Sequence, residues 1–161
     1  MLKKFLILSF TLLFFVSFAQ KKKELKKAGV RTITTTETHG TKTFTDSKST
    51  YDANGLLIEE INYNKEGLLK STTKYKYNKE GDVIEEMEYD DKNIIKEKRL
   101  IKYSLLGEKT EELTLDKDNK QLKKNVYTYD LKGFKTERKT YDGNNTLVIT
   151  KKYSYGYKIG E

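Results

Sequence analysis

The sequence predicts an all-β protein, an antiparallel meander of repeated hairpins with about 26 residues per two strands, and two observations carry that prediction. Tyrosine recurs at fixed steps along most of the chain, and Gly or Asn follows all but the last of those positions by four. Side chains alternate across a strand with period two, and a turn that fixes its register fixes the pairing of the strands it joins. Hairpins that touch only their neighbours grow as an elongated, twisted or half-pipe sheet of about ten strands, with closure into a barrel as the alternative.

The tyrosines stand at 51, 63, 77, 89, 103, 129, 141 and 155, with Leu115 in the one vacant place, so the steps alternate between 12 and 14. Four residues after the first eight of these marks, counting Leu115, come Gly55, Gly67, Gly81, Asn93, Gly107, Asn119, Gly133 and Asn145. Gly and Asn enter the left-handed region at least cost. The residues before them are those of a type I turn closed by a G1 bulge, a three-residue hairpin loop. Extending the register backwards places Leu25 and Gly29 at the same offset, which starts units near residues 25, 51, 77, 103 and 129 with a degenerate first copy. The Thr run at 32, 34, 35 and 36 suits a strand. Asp116 to Asn119 has the look of a calcium loop but lacks the ligand alternation and closing Glu, so turn chemistry accounts for it.

Counting out from three-residue loops pairs Tyr63 with Leu69, Ile61 with Ser71, Glu59 with Thr73 and Leu57 with Tyr75. The next turn puts Tyr77 opposite Val83 and Tyr75 opposite Glu85, which keeps the Tyr columns on one face. The other face then carries Glu60, Glu86 and Glu112 against Lys74, Lys98 and Lys124, with Glu86–Lys98 and Glu112–Lys124 directly opposed.

Ahead of the repeats, Lys3 and Lys4 precede an apolar run from Phe5 to Phe18, and Ser17-Phe18-Ala19 forms a small-x-small site. This is a secretory leader over 1–19, cut after Ala19. A helix of that run would rise about 21 Å, short of the hydrocarbon thickness a membrane anchor must cross. Export to the periplasm, the cell surface or the medium follows, with a basic, flexible tail over 20–27, a repeat domain over 28–161 and no helix in the mature chain. With no Cys, neither a disulfide framework nor a lipid-modified Cys is available.

The formal charge of +8 is largely terminal, because the leader and the 20–27 segment leave about +2 for the rest. Nucleic acid is therefore excluded as a partner. The pattern Tyr-x-Tyr-Asp/Asn-x-x-Gly, as in Tyr75 to Gly81 and Tyr127 to Gly133, resembles the YD repeats of RHS-type bacterial surface proteins, and MORN-type hairpin repeats space Gly and aromatics similarly. The resemblance covers about 51–155. It lacks the usual Gly-Arg after the turn and has neither the giant shell nor a toxin domain. It implies a hairpin fold in a secreted or surface setting, and by analogy with MORN-like proteins it raises an immunity role.

Catalytic chemistry finds no footing. His39 is the only His, beside Gly40 in the degenerate copy, and there is no Cys. The column Glu59, Glu85, Glu111 and Glu137 could suggest a glycosidase, but the counted register sets Glu85 against Arg99 and Glu137 against Lys151, pairs that neutralise it. One carboxylate per repeat does not converge on a metal. No catalytic residue, metal or cofactor is expected. The expected function is that of a non-catalytic binding or scaffold module, for a glycan, a cell-wall polymer or a protein, with Tyr63, Tyr75, Tyr77, Tyr89 and Tyr103 as ligand-binding rings. The alternative is a purely structural envelope protein whose tyrosines are core.

Overall fold

The structure, a computed structural model, describes residues 22–156. The leader expected over 1–19 and its expected cleavage after Ala19 lie outside the described residues. Ten strands follow one another: β1 (Thr32–His39), β2 (Lys42–Tyr51), β3 (Leu57–Tyr63), β4 (Leu69–Tyr77), β5 (Val83–Tyr89), β6 (Ile95–Tyr103), β7 (Lys109–Asp116), β8 (Gln121–Tyr129), β9 (Lys135–Tyr141) and β10 (Leu147–Lys152). They lie in one sheet in sequence order, a meander whose end strands are β1 and β10 rather than a closed barrel.

Every hairpin loop from Asp52 onward is built alike. In the loop after Tyr63, the Gly67 amide donates to the Asn64 carbonyl at 2.9 Å and the Asn64 amide donates to the Leu68 carbonyl at 2.9 Å. Gly55, Gly67, Gly81, Gly107 and Gly133 have φ of 76, 78, 90, 80 and 80°, and Asn93, Asn119 and Asn145 have 62, 60 and 61°. The residue right after each Tyr mark also caps its own loop. Asp130 Oδ1, for instance, accepts from the amides of Lys132 and Phe134, both at 2.9 Å. Asn64, Asp90, Asp116 and Asp142 accept the equivalent pairs, and Ser104 does so through its hydroxyl. A short acceptor side chain at that position satisfies two amides that the turn leaves unpaired.

One step past each loop the counted register fails. Tyr77 does face Val83, but the next pair is Lys76 with Glu85, which leaves Ile84 opposite nothing. The same one-residue bulge recurs after Tyr51, Tyr89, Tyr103, Leu115, Tyr129 and Tyr141. An extra residue on one strand reverses the facing of everything beyond it. Tyr75 therefore faces Glu86 rather than Glu85, Arg99 faces Glu86, Lys151 faces Arg138, and Lys98 and Lys124 face Met87 and Leu113. The tyrosines do not share one face. The bulge also accounts for exposed apolar side chains at Ile58, Ile84, Leu122 and Val148, the residues it displaces.

The chain divides into two units, Met1–Leu69 and Lys70–Glu161. In the first, residues 22–28 form a helix, α1, where a flexible tail and no helix are expected from sequence. Lys, Glu, Leu and Ala are strong helix formers. Gly29, with φ of 67°, closes α1: its amide donates to the Lys26 carbonyl at 3.2 Å and the Val30 amide to the Leu25 carbonyl at 3.0 Å. This is a Schellman cap, so the offset Leu25–Gly29 marks a helix end and not a hairpin. The helix seats on the Asp52–Leu56 loop, where Lys26 Nζ donates to Asn54 Oδ1 at 3.2 Å. The β1–β2 hairpin also departs from the repeat, pairing His39 with Lys42 across Gly40 and Thr41.

The second unit holds the buried side chains: Ile101, Leu115 and Tyr127, with the polar Thr114, Asn125 and Thr140. None is below 2% exposed, so this is a thin structure in which long side chains shelter shorter ones. Three tyrosines tie neighbouring hairpins together. The hydroxyls of Tyr103, Tyr129 and Tyr155 donate to the carbonyls of Val83, Lys109 and Lys135, each 20 residues earlier, at 3.0, 2.8 and 2.7 Å.

Candidate functional site

The five tyrosines predicted to bind are distributed over three settings. In the first unit Tyr63 lines an open cleft of about 540 Å³ with Phe44, Thr34, Thr43, Thr45, Lys48, Glu66 and Gly67. Strand register explains the grouping: Thr34 faces Lys48, and Lys48 faces Ile61, two residues from Tyr63 on the same side of β3. Tyr51 points to the opposite side, three residues from Lys48 along β2, and the bulge at Ile58 keeps it off the side of Tyr63. The cleft thus offers the Tyr63 ring, three threonine hydroxyls, one cation and one carboxylate; Phe44 borders it, but its strand position faces Glu37 and its ring meets His39 at 5.5 Å. Phe44 was not anticipated, because its strand belongs to the degenerate copy.

In the second unit Tyr75, Tyr77 and Tyr103 share one face, here called the inner face, with Glu86, Arg99, Ile101, Glu112, Asn125 and Tyr127. Tyr89 lies on the outer face with Glu85, Met87 and Lys98. Tyr75 lines a small cleft of about 180 Å³ with Thr73, Glu86, Glu88, Glu97 and Arg99. Its carboxylates are engaged: Arg99 reaches Glu86 at 2.6 Å and Glu97 at 3.5 Å, and Lys96 reaches Glu88 at 2.6 Å. Tyr103 is committed to the Val83 carbonyl.

Three carboxylates of the column suspected of hydrolytic work are neutralised by lysines, and not by the Arg99 and Lys151 counted from sequence. Glu85 takes Lys76 at 2.7 Å and Lys98 at 3.4 Å, Glu111 takes Lys102 at 2.9 Å and Glu137 takes Lys139 at 2.9 Å. The Lys76 hydrogen bond, against opposing burial, holds the Glu85 carboxyl below its usual range. On the inner face burial works against the Glu112 charge, but Lys109 at 2.6 Å and the Asn125 amide at 3.2 Å outweigh it, so that carboxyl is lowered too. Burial raises the Tyr103, Tyr127 and Tyr129 hydroxyls above their usual value. Among the described residues no group of three His, Asp or Glu could hold a metal ion, and no helix is long and apolar enough to cross a membrane.

Eight loops capped and turned alike, and joined by bulged strand pairs, define the architecture. The chain is a β-hairpin repeat protein. No family model and no curated protein matches it. Among solved structures it is similar to the Photorhabdus luminescens Tc holotoxin pore, at a TM-score of 0.42 and 12% identity over 70% of this chain and 8% of that one. It is also similar to TarM of S. aureus, at 0.32 and 15% over 86% and 23%. A Bacteroides fragilis protein of unknown function gives 0.42 and 16% over 79% and 96%. The chain thus spans a small part of the first two, and at these scores none bears on its function.

Proposed function

We propose that this is an exported, non-catalytic binding module of the YD-repeat type, which holds a polyhydroxylated polymer, a glycan or cell-wall strand, in the Phe44–Tyr63 cleft. The observation that carries the reading is the composition of that cleft. Its 540 Å³ falls within the size of ordinary ligand pockets, and an aromatic ring, that of Tyr63, beside hydroxyls and one charge of each sign suits sugar faces and edges. The absence of catalysis is supported by the carboxylates: a general acid needs a raised pKa, and Glu85 and Glu112 are both lowered. Export rests on the leader pattern ahead of Ala19.

The site is narrower than the row of five rings read from sequence. Tyr103 serves its neighbour's backbone and Tyr89 faces away from Tyr75 and Tyr77, so the rings do not form one platform. The experiment is a pull-down on insoluble cell-wall polymer and on immobilised glycans, comparing wild type with Tyr63→Ala, Lys48→Ala and the double variant, with circular dichroism to verify the fold. Loss of retention in both variants supports the cleft, and retention by a folded double variant refutes it. A second reading, a structural scaffold, is favoured by the three Tyr hydroxyls spent on neighbouring carbonyls. It predicts no retention of the wild type on any polymer.

A further inference from the structure

We infer that the inner face of β8, β9 and β10 binds a second kind of ligand, an extended polymer carrying repeated carboxylate or phosphate groups. The site lies in the second unit and does not depend on the Phe44–Tyr63 cleft.

Register places Lys123, Asn125, Tyr127 and Tyr129 of β8, Lys135, Arg138 and Thr140 of β9, and Lys151 of β10 on this face. The three strands contain one carboxylate, Glu137, and it lies on the outer face with Lys139. The nearest inner-face carboxylate, Glu112 of β7, is already held by Lys109 and Asn125. The loop aspartates Asp116, Asp130 and Asp142 accept backbone amides in their own turns, and Glu108 accepts from Ser104. Positive charge on this face therefore meets few carboxylates on the face itself, the loop aspartates lying at the strand ends.

The cations are also ordered in a row. Lys135 Nζ lies 4.6 Å from the Tyr127 ring centre and 5.8 Å from that of Tyr153, Lys109 lies 5.3 Å from Tyr127, and Lys151 lies 5.4 Å from Tyr153. Each ammonium rests on an aromatic face, which restrains a side chain that would otherwise sweep solvent. Tyr127 is only 9% exposed, so the lysines cover it and the face presents charge rather than an open stacking ring. That chemistry selects anions over neutral sugars. Strands about 4.8 Å apart set these cations out across the sheet, which fits a chain with a charge on every unit better than a single small anion.

The test measures binding of the full chain to polygalacturonate, to inorganic polyphosphate, to neutral dextran and to duplex DNA at low salt. Wild type binds polygalacturonate or polyphosphate in a manner that salt weakens, whereas any retention on dextran, through the cleft, is insensitive to salt, and the stronger of the two polyanions identifies carboxylate or phosphate as the group recognised. Lys135→Gln with Lys151→Gln weakens that binding about tenfold, through loss of two charge-assisted contacts. Lys139→Gln with Lys152→Gln removes the same charge from the outer face of the same strands and changes affinity less than about twofold, because contacts across the sheet are screened. Should the first pair lower the melting temperature, the exposed Lys151→Glu alone carries the comparison. Tyr63→Ala leaves polyanion binding unchanged. Equal losses in the inner and outer pairs, no binding to either polyanion, or tighter binding to DNA than to both overturns the proposal.

Discussion

Gly107→Val isolates the cost of the left-handed turn position. Gly107 has φ of 80°, and a Cβ built there meets nothing within 4 Å, so no steric clash contributes. An L-residue in this region costs about 1–2 kcal/mol, with β-branched side chains at the upper end. Losing glycine's freedom in the unfolded chain returns about 0.4–1 kcal/mol. The net expectation is a loss of about 1–1.5 kcal/mol, or roughly 2–6 °C in Tm for a domain of this size. Gly107→Asn should stay within about 0.5 kcal/mol of wild type, since Asn93, Asn119 and Asn145 already occupy the equivalent position at φ of 60 to 62°. Gly156→Val, where a Cβ also meets nothing and φ is not left-handed, is the control and should be silent. Urea melts followed by circular dichroism measure all three. If the Val variant melts with wild type, the turn is not rigidly held and the repeat does not depend on it.

Further variants address the caps, the braces, the helix and pH. Asp130→Ala removes two acceptor contacts at 2.9 Å and should cost about 1–2 kcal/mol in the same melts. Tyr129→Phe deletes the 2.8 Å bond to the Lys109 carbonyl and should cost about 1 kcal/mol. Gly55→Ala should destabilise by about 1 kcal/mol more than Gly67→Ala: φ is 76 and 78°, but only at Gly55 would a Cβ fall 2.5 Å from a backbone oxygen, that of Lys22. Glu112 has a lowered folded-state pKa, so its contribution is present above the ordinary carboxylate range and is lost as pH falls through the lowered value. An acid titration of Tm should therefore fall less steeply in Glu112→Gln than in wild type.

The turns were legible because φ > 0 admits few residue types, so Gly or Asn four places after each mark points to one conformation. The bulges were not. At the displaced positions stand Ile58, Ile84, Lys96, Thr110, Leu122, Thr136 and Val148, mostly the β-branched residues that any strand position favours and so no mark of a bulge, because the backbone and not the side chain makes it. One unseen residue per hairpin was enough to misplace the faces, and with them the tyrosine platform and the partners of the glutamate column. Gly29 shows the converse: a positive φ of 67° was required there, but helix caps and hairpin turns use the same residue for it, and the surrounding Lys, Glu, Leu and Ala decide between them.

The bulge also explains why the sequence repeats every 26 residues although a loop recurs every 12 or 14. In the second unit each bulge sends the next mark to the other face, so Tyr77, Tyr103 and Tyr129 lie inside while Tyr89, Leu115 and Tyr141 lie outside. The two sets do different work. Tyr103, Tyr129 and Tyr155 each donate to a carbonyl 20 residues back, a role that needs the hydroxyl. The outer marks make no such bond: the Tyr89 hydroxyl reaches only the Met87 sulfur at 3.6 Å, and Tyr141 lies under the Lys124 ammonium at 4.9 Å. An outer mark needs apolar bulk and little else, and the one place where the column holds a leucine, Leu115, is an outer mark, buried to 9% exposure. A leucine at Tyr103 or Tyr129 would instead leave a neighbouring carbonyl without its donor, so the single exception in the tyrosine column falls where the geometry permits it.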